Sequence, residues 1–245
     1  MLTHPTLEKL KELKLHGMVK VFEEQLSSPD YKELSFEERL GIMVEREIIE
    51  RENRRLESRL KKAKLRHQAC MEDIDYVHPR KLDKSLMRSF STCNWIRERL
   101  NMIITGPTGV GKSYIGCALA HRACMEGYSA LYFRAPRLFQ ELAVAKGDGR
   151  YAKLMNSIAK SDLIVIDDWG FAPLSEAEQR DFLEILDDRH GIHSTIILGQ
   201  MTVDVWHKII SNPTLADAIL DRLVHNAYKM DLDGDSMRKI KSKLT

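Results

Sequence analysis

Gly106-Pro107-Thr108-Gly109-Val110-Gly111-Lys112-Ser113 fits the pattern GxxxxGK[ST] at every position. The apolar run Met102–Thr105 precedes it and a helical pattern from Lys112 to about Glu126 follows. Strand, loop and helix in that order form the context in which such a loop holds phosphate. The glycines let the backbone curl so that successive N–H groups converge on an anion, and the helix start adds positive potential. Lys112 is placed to reach the β- and γ-phosphates of a nucleoside triphosphate, and Ser113 to offer its hydroxyl to Mg²⁺. With Tyr114 they complete the expected nucleotide-binding run.

Fifty residues further on, Leu163-Ile-Val-Ile-Asp167-Asp168 reads as a strand buried on both faces that ends in two acids. Ligands of α/β sheets bind at the carboxyl ends of strands. Asp167 is therefore the expected Mg²⁺ partner, through water, and Asp168 the group that orients and activates an attacking water. A dinucleotide-binding reading is excluded, because the loop has no GxGxxG spacing. A small kinase would need an acceptor site, and two acids on one strand favour water as the acceptor. Gln200, directly after the fourth strand, is placed either to touch the γ-phosphate or its water, or to serve as an ordinary loop amide. Arg222 is either a salt-bridged helix residue or a side chain that reaches a neighbouring subunit's phosphates.

Around these residues strands and helices alternate. Strands are expected at Met102–Thr105, Ala130–Arg134, Leu163–Asp167, Thr195–Gly199 and Ala227–Leu232, separated by helices. Right-handed crossovers then make a five-stranded parallel sheet. Ser175-Glu-Ala-Glu178 marks a capped helix start, and residues Trp95–Leu100 are expected to shape the base pocket.

Before residue 75 the pattern is helical. Leu15, Met18, Val19, Phe22 and Leu26 recur at helical spacing, Ser27–Asp30 breaks the run, and Ser35-Phe-Glu-Glu38 is a capping box. A long helix follows to about Arg66, its apolar face marked by Leu40, Val44, Ile48, Leu56 and Leu60. The expected domains are thus a helical one over 1–75 and an α/β one over 76–245. From Arg51 to Arg66 there are eight Lys or Arg against Glu52 and Glu57, while the acids cluster earlier in the helix. Such a face is either simply solvated or contacts a phosphate backbone, through Arg55, Arg59, Lys61, Lys62 and Lys64 above all.

The 245 residues include 38 Lys+Arg and 36 Asp+Glu, so a uniformly basic coat is excluded while a local basic patch is not. The uncharged run Gly191–Val203 is too short to span a bilayer, and charges occupy the N-terminal stretch where a signal peptide would be apolar. A cytoplasmic protein with no membrane partner is expected. Cys70, Cys93, Cys117 and Cys124 form no CxxC pair and read as reduced, buried thiols.

The runs GPTGVGKS, DLIVIDDWGFAPL, FLEILDDRHG, PTLADAILDRLVHNAY and GDSMRK, with RRLESRLKKAKLRHQACMEDIDY before them, resemble the IstB helper ATPases of insertion-sequence transposons. These are relatives of DnaC helicase loaders and DnaA initiators in the AAA+ class, and the resemblance covers most of the chain. It implies that Gly106–Ser113 is Walker A, Asp167 and Asp168 are Walker B, and Gln200 is sensor 1. Arg222 would be the arginine finger acting on the adjacent protomer's ATP, and Arg238 a sensor-2-like contact. The implied fold is an AAA+ P-loop NTPase behind a helical N-terminal domain; the usual C-terminal lid is not expected, because Thr245 follows soon after the fifth strand.

The implied protein binds ATP and Mg²⁺ and assembles on double-stranded DNA as a ring or spiral of identical copies. It deforms the DNA, recruits or stimulates a cognate transposase, and disassembles on hydrolysis. A second DNA-contacting region is expected between the second and third strands, at Lys146, Arg150 and Lys153, where related initiators line a central pore. Asp168 stands where most AAA+ proteins carry Glu, so hydrolysis is expected to be slow. Two other readings are a DnaC-like helicase loader and a nucleotide-gated DNA clamp with negligible hydrolysis.

Overall fold

A computed structural model describes residues 4–241. The chain divides into two compact units, Met1–Ser58 and Arg59–Thr245. The division falls inside a helix, upstream of the point near residue 75 where composition changes.

The first unit is built from helices α1 (Pro5–Glu12) and α2 (His16–Ser27), a 3₁₀ turn (Pro29–Glu33) and the opening turns of α3 (Phe36–Ala63). Ser35 and Glu38 close the expected capping box on α3. Helix α2 has no capping side chain of its own. Glu47 of α3 takes that role, its Oε2 accepting from the N–H groups of Gly17 at 2.7 Å and Met18 at 3.4 Å. Burial disfavours the Glu47 charge, but hydrogen bonds from Arg51, Gly17 and Met18 outweigh it and hold the carboxyl below its ordinary range. The helices meet so closely that a Cβ at Gly17 would lie 2.6 Å from the Arg46 carbonyl oxygen. This approach selects the buried face of α3. Met43 and Glu47 turn inward, and the expected apolar seam of Leu40, Val44 and Ile48 is exposed instead.

The second unit is the α/β one. After α4 (Lys84–Phe90) and α5 (Asn94–Arg97), strands β1 (Asn101–Thr105), β2 (Ala130–Arg134), β3 (Leu163–Trp169), β4 (Ser194–Gly199) and β5 (Ala227–Asp231) pair in the order β2-β3-β4-β1-β5. All four pairings are parallel, as expected from the alternation with helices. Helices α6 (Lys112–Met125), α7 (Ala135–Gly147), α8 (Tyr151–Ala159), α9 (Glu176–Arg189), α10 (Val203–Ile209) and α11 (Pro213–Val224) join them, and α12 (Met237–Lys241) follows β5. The central strands carry near-continuous apolar runs because both faces are covered, with Ile103, Ile164, Ile166 and Ile197 inside. Among the described residues no helix is long and apolar enough to cross a membrane.

Two packing features hold the two ends of the sheet. Trp169, the last residue of β3, stacks on Phe182 with ring centroids 4.2 Å apart and meets Trp206 edge-on. At the opposite end, the buried Arg189 donates to the carbonyls of Ile158 and Ser161 at 2.6 Å and Ser194 at 2.5 Å. It ties α8, the turn before β3 and β4 to α9. Cys93, Cys117 and Cys124 are buried and Cys70 is half-buried, all four as free thiols.

Candidate active site

The order of the strands places β4 between β1 and β3. The loop after β1, Gln200 after β4 and the acids ending β3 therefore lie along one edge of the sheet. The loop Gly106–Ser113 turns through glycines with positive φ. At Gly106 (φ 141°) a Cβ would lie 2.3 Å from the Leu232 carbonyl oxygen, and at Gly111 (φ 106°) 2.4 Å from Arg80 Nη1. Only glycine fits either position. Gly111 caps α6 without a side chain, so the N–H groups of the first turn are left for an anion. Lys112 Nζ donates to the carbonyls of Gly106 at 2.6 Å and Pro107 at 2.8 Å, folded back over the loop. Burial pushes its pKa down, against the pull of Asp167 and Asp168.

A cleft of about 410 Å³ opens over the loop, lined by Gly109, Gly111, Lys112, Ser113, Tyr114 and Arg238 from the expected set. His67, Asp73, Asp75 and Arg80 form its other wall. None of residues Trp95–Leu100, the expected base pocket, lines this cleft. Trp95 and Ile96 are buried, and the Trp95 indole donates to the Phe90 carbonyl. Arg80 is the residue that sequence reasoning missed most completely. It is 4% exposed, donates to Val110 O at 3.0 Å and to Asp75 O, and so braces the loop from behind. Segment 232–238 braces it from the other side, with Met237 N donating to Gly109 O at 3.0 Å.

The two acids have different surroundings. The pairing of β3 with β4 shifts register between Ile166 and Trp169, and Asp168 adopts φ 57°. A bulge of this kind re-aims side chains. Asp167 is 2% exposed and accepts from the Tyr132 hydroxyl and, at 2.8 Å, from Asp168 N. Asp168 is half-buried, and Arg134 Nε at the end of β2 donates to its Oδ2 at 2.6 Å. Arg66 Nη1 lies 3.7 Å from Asp167 and 4.0 Å from Asp168. Hydrogen bonding with Tyr132, then the two carboxylates, holds the Arg66 guanidinium charged. Ser113 and Asp167 supply hydroxyl and carboxylate oxygens, the hard donors Mg²⁺ takes, and Asp167 keeps lone pairs beyond the two bonds it accepts.

The remaining expected residues are scattered. Gln200 is exposed, with no hydrogen bond among the described residues. Arg222 is held within its own chain, Nε to Asp187 and Nη1 to the Ala218 carbonyl at 2.9 Å. Of the basic residues, Arg59 donates to the Cys124 carbonyl at 2.8 Å, Lys146 pairs with Asp181 and Arg150 with Asp148, each pair at 2.5 Å. Arg55, Lys61, Lys62, Lys64 and Lys153 are exposed and unpaired among the described residues.

The family model described as "IstB-like ATP binding protein" matches residues 8–245. The chain is 52% identical over 239 residues to an insertion-sequence ATP-binding protein of Sinorhizobium fredii, covering 98% of each. Among solved structures, that of DnaI is similar with a TM-score of 0.57 at 21% identity, over 67% of this chain and 91% of that one. The DnaC helicase loader is similar with a TM-score of 0.56 at 19% identity, over 67% and 96%. These two likenesses are of fold.

Proposed function

The chain belongs to the IstB-like ATP-binding proteins, and on that premise we propose that it is an ATP-hydrolysing, DNA-binding regulator of transposition. It assembles with copies of itself on double-stranded DNA when ATP is bound, deforms the DNA and recruits or stimulates a cognate transposase. Hydrolysis releases the assembly. The observation that carries this reading is the pairing of an anion-ready loop with two acids on the same sheet edge.

In this reading the loop amides and Lys112 bind the triphosphate. Ser113 and Asp167 hold Mg²⁺, which neutralises phosphate charge when bound. Asp168 accepts the proton of the attacking water, and Gln200 orients that water. Tyr114 and Arg238 contact the nucleotide from the walls of the cleft. Arg222 leaves Asp187 to meet the ATP of a neighbouring copy. The exposed cations Arg55, Lys61, Lys62, Lys64 and Lys153 contact DNA phosphates, a sequence-independent grip suited to many targets. Arg59, Lys146 and Arg150 join them only by giving up the partners described above.

Filter retention of labelled duplex tests the reading. Retention should require ATP, vanish in Lys112→Ala, and fall steeply with salt. Replacing Lys61, Lys62 and Lys64 with Ala should lower the salt slope by up to about three. Equal retention with the nucleotide removed would overturn the ATP-dependent assembly.

A further inference from the structure

Helix α11 ends at Val224, so the carbonyl of Arg222 is among the last four, which a helix leaves without an internal partner. Asn101, the first residue of β1, supplies one: its Nδ2 donates to Arg222 O at 3.1 Å. The other end of the same carboxamide is also used, Oδ1 accepting from Thr195 N of β4 at 2.9 Å. These partners fix which way the amide faces, because a backbone N–H only donates and a carbonyl only accepts. The backbone N–H of Asn101 donates in turn to Asn226 O at 2.7 Å. One residue thus grips the chain on both sides of the turn that leaves α11, at 222 and at 226, and ties it to β1 and β4. Asn101 is buried, so water does not replace a bond lost here. A carboxamide offers donor and acceptor from one short planar group, whereas the isosteric carboxylate of Asp only accepts.

We propose that Asn101 is a positioning residue for Arg222, fixing the main chain from which that side chain reaches the ATP of a neighbouring copy. The inference rests on the reading of Arg222 given above and adds to it the group that holds the arginine in place. To act in that way the guanidinium must leave Asp187 and the Ala218 carbonyl, and these bonds then no longer place it. What remains is the main chain of the residue itself, and the carbonyl that Asn101 holds belongs to it. A small shift of the helix end is enlarged along a side chain this long, and about 1 Å of misplacement costs up to about a hundredfold in rate. Asn101 and Thr195 lie at the starts of β1 and β4, whereas the phosphate loop and Gln200 follow the ends of those strands. None of Asn101, Thr195 and Asn226 lines the cleft over the chain's own loop. A change at the amide therefore falls on the arginine offered to the neighbouring copy and spares the site that binds the chain's own nucleotide.

The test is phosphate release by the full chain, alone and in mixtures of variants. Asn101→Asp keeps an acceptor for Thr195 N and sets a carboxylate oxygen in place of the donor that faces Arg222 O. It should leave ATP affinity unchanged and lower hydrolysis about tenfold. Mixed with Lys112→Ala, which has an intact arginine and a disabled loop, it should regain hydrolysis. Mixed with Arg222→Ala, which has an intact loop and no arginine, it should regain none. If Asn101 only steadied its own sheet, the pattern would be reversed: the arginine of Asn101→Asp would still serve the loop of Arg222→Ala, and Lys112→Ala would restore nothing. That reversal, recovery in both mixtures or in neither, or an unaltered rate in Asn101→Asp alone would each overturn the proposal. Asn101→Ser, whose hydroxyl stops short of Arg222 O and adds no charge, is carried through the same mixtures, so that a chain unfolded by the buried carboxylate does not end the test. The control is Lys112→Ala mixed with Arg222→Ala. No recovery there would overturn the action of Arg222 across copies, a failure separate from that of Asn101.

Discussion

Arg222 of α11 is bound by Asp187 of α9 through its Nε, and by the Ala218 carbonyl through Nη1. To act on a neighbouring copy's ATP, as proposed above, this side chain must first leave these partners in its own chain. The pair is partly exposed, at 29% and 47%, so releasing it costs no more than about 1 kcal/mol. Arg222→Ala should leave ATP binding intact and lower hydrolysis. Mixing it with Lys112→Ala should restore some hydrolysis at shared interfaces, read as phosphate release against mixing ratio. No recovery at any ratio would refute action across subunits. Asp187→Asn should raise turnover by up to about fivefold at limiting protein concentration.

Gly111→Ala should abolish nucleotide binding. The added methyl meets Arg80 Nη1 at 2.4 Å, and φ 106° strains any residue with a Cβ. Either the loop or Arg80 must move, and the first-turn amides move with them. ATP should no longer raise the melting temperature, whereas Gly127→Ala, at a turn with open space around it, should keep that response.

Arg189→Leu should cost at least about 3 kcal/mol, because three carbonyls lose their donor and none can reach water. Urea denaturation would measure it. Burial pushes this guanidinium down to about 9, opposed weakly by Asp162. Even so, the three short bonds it donates require a side chain rich in N–H groups, and Arg189→Lys should recover only part of the loss.

Burial raises the Cys93 and Cys124 thiols from 9.0 to about 11. The folded chain therefore holds protons that the unfolded chain gives up between those values. Stability should be intact below pH 9 and fall as the pH rises toward 11. Thermal melts across that range should show it, and Cys93→Ala with Cys124→Ala should flatten the slope. In the native state iodoacetamide at pH 8 should label Cys70 alone, and a rapid second site would contradict the burial.

The loop, the strands and the two acids ending β3 were readable from residues alone, because each depends on local pattern. Glycine spacing and a Lys-Ser pair specify the nest, and continuous Ile and Val runs specify buried strands. The long helix was readable, but its buried side was not. Leu40, Val44 and Ile48 have the better apolar spacing, yet the backbone contact at Gly17 turns Met43 and Glu47 inward. A packing constraint set by a residue about thirty positions away leaves no periodic trace. Arg66 read as the last of a basic run, and only the fold brings it to Asp167. Arg80 and the wall from His67 to Asp75 belong to a loop with no periodicity to mark it. Arg134 looked like the end of a strand, and the β2–β3 register of Arg134 with Asp167 is what makes it a partner of the acids.

The carboxylate of Glu47 begins a helix that lies 30 residues before it. During synthesis the first helices leave the ribosome without their acceptor. The start of the second gains its acceptor only when the chain has grown past that glutamate and it has cleared the exit tunnel. A nascent chain halted short of this point should be an open target for proteases, and one released just beyond it should resist them.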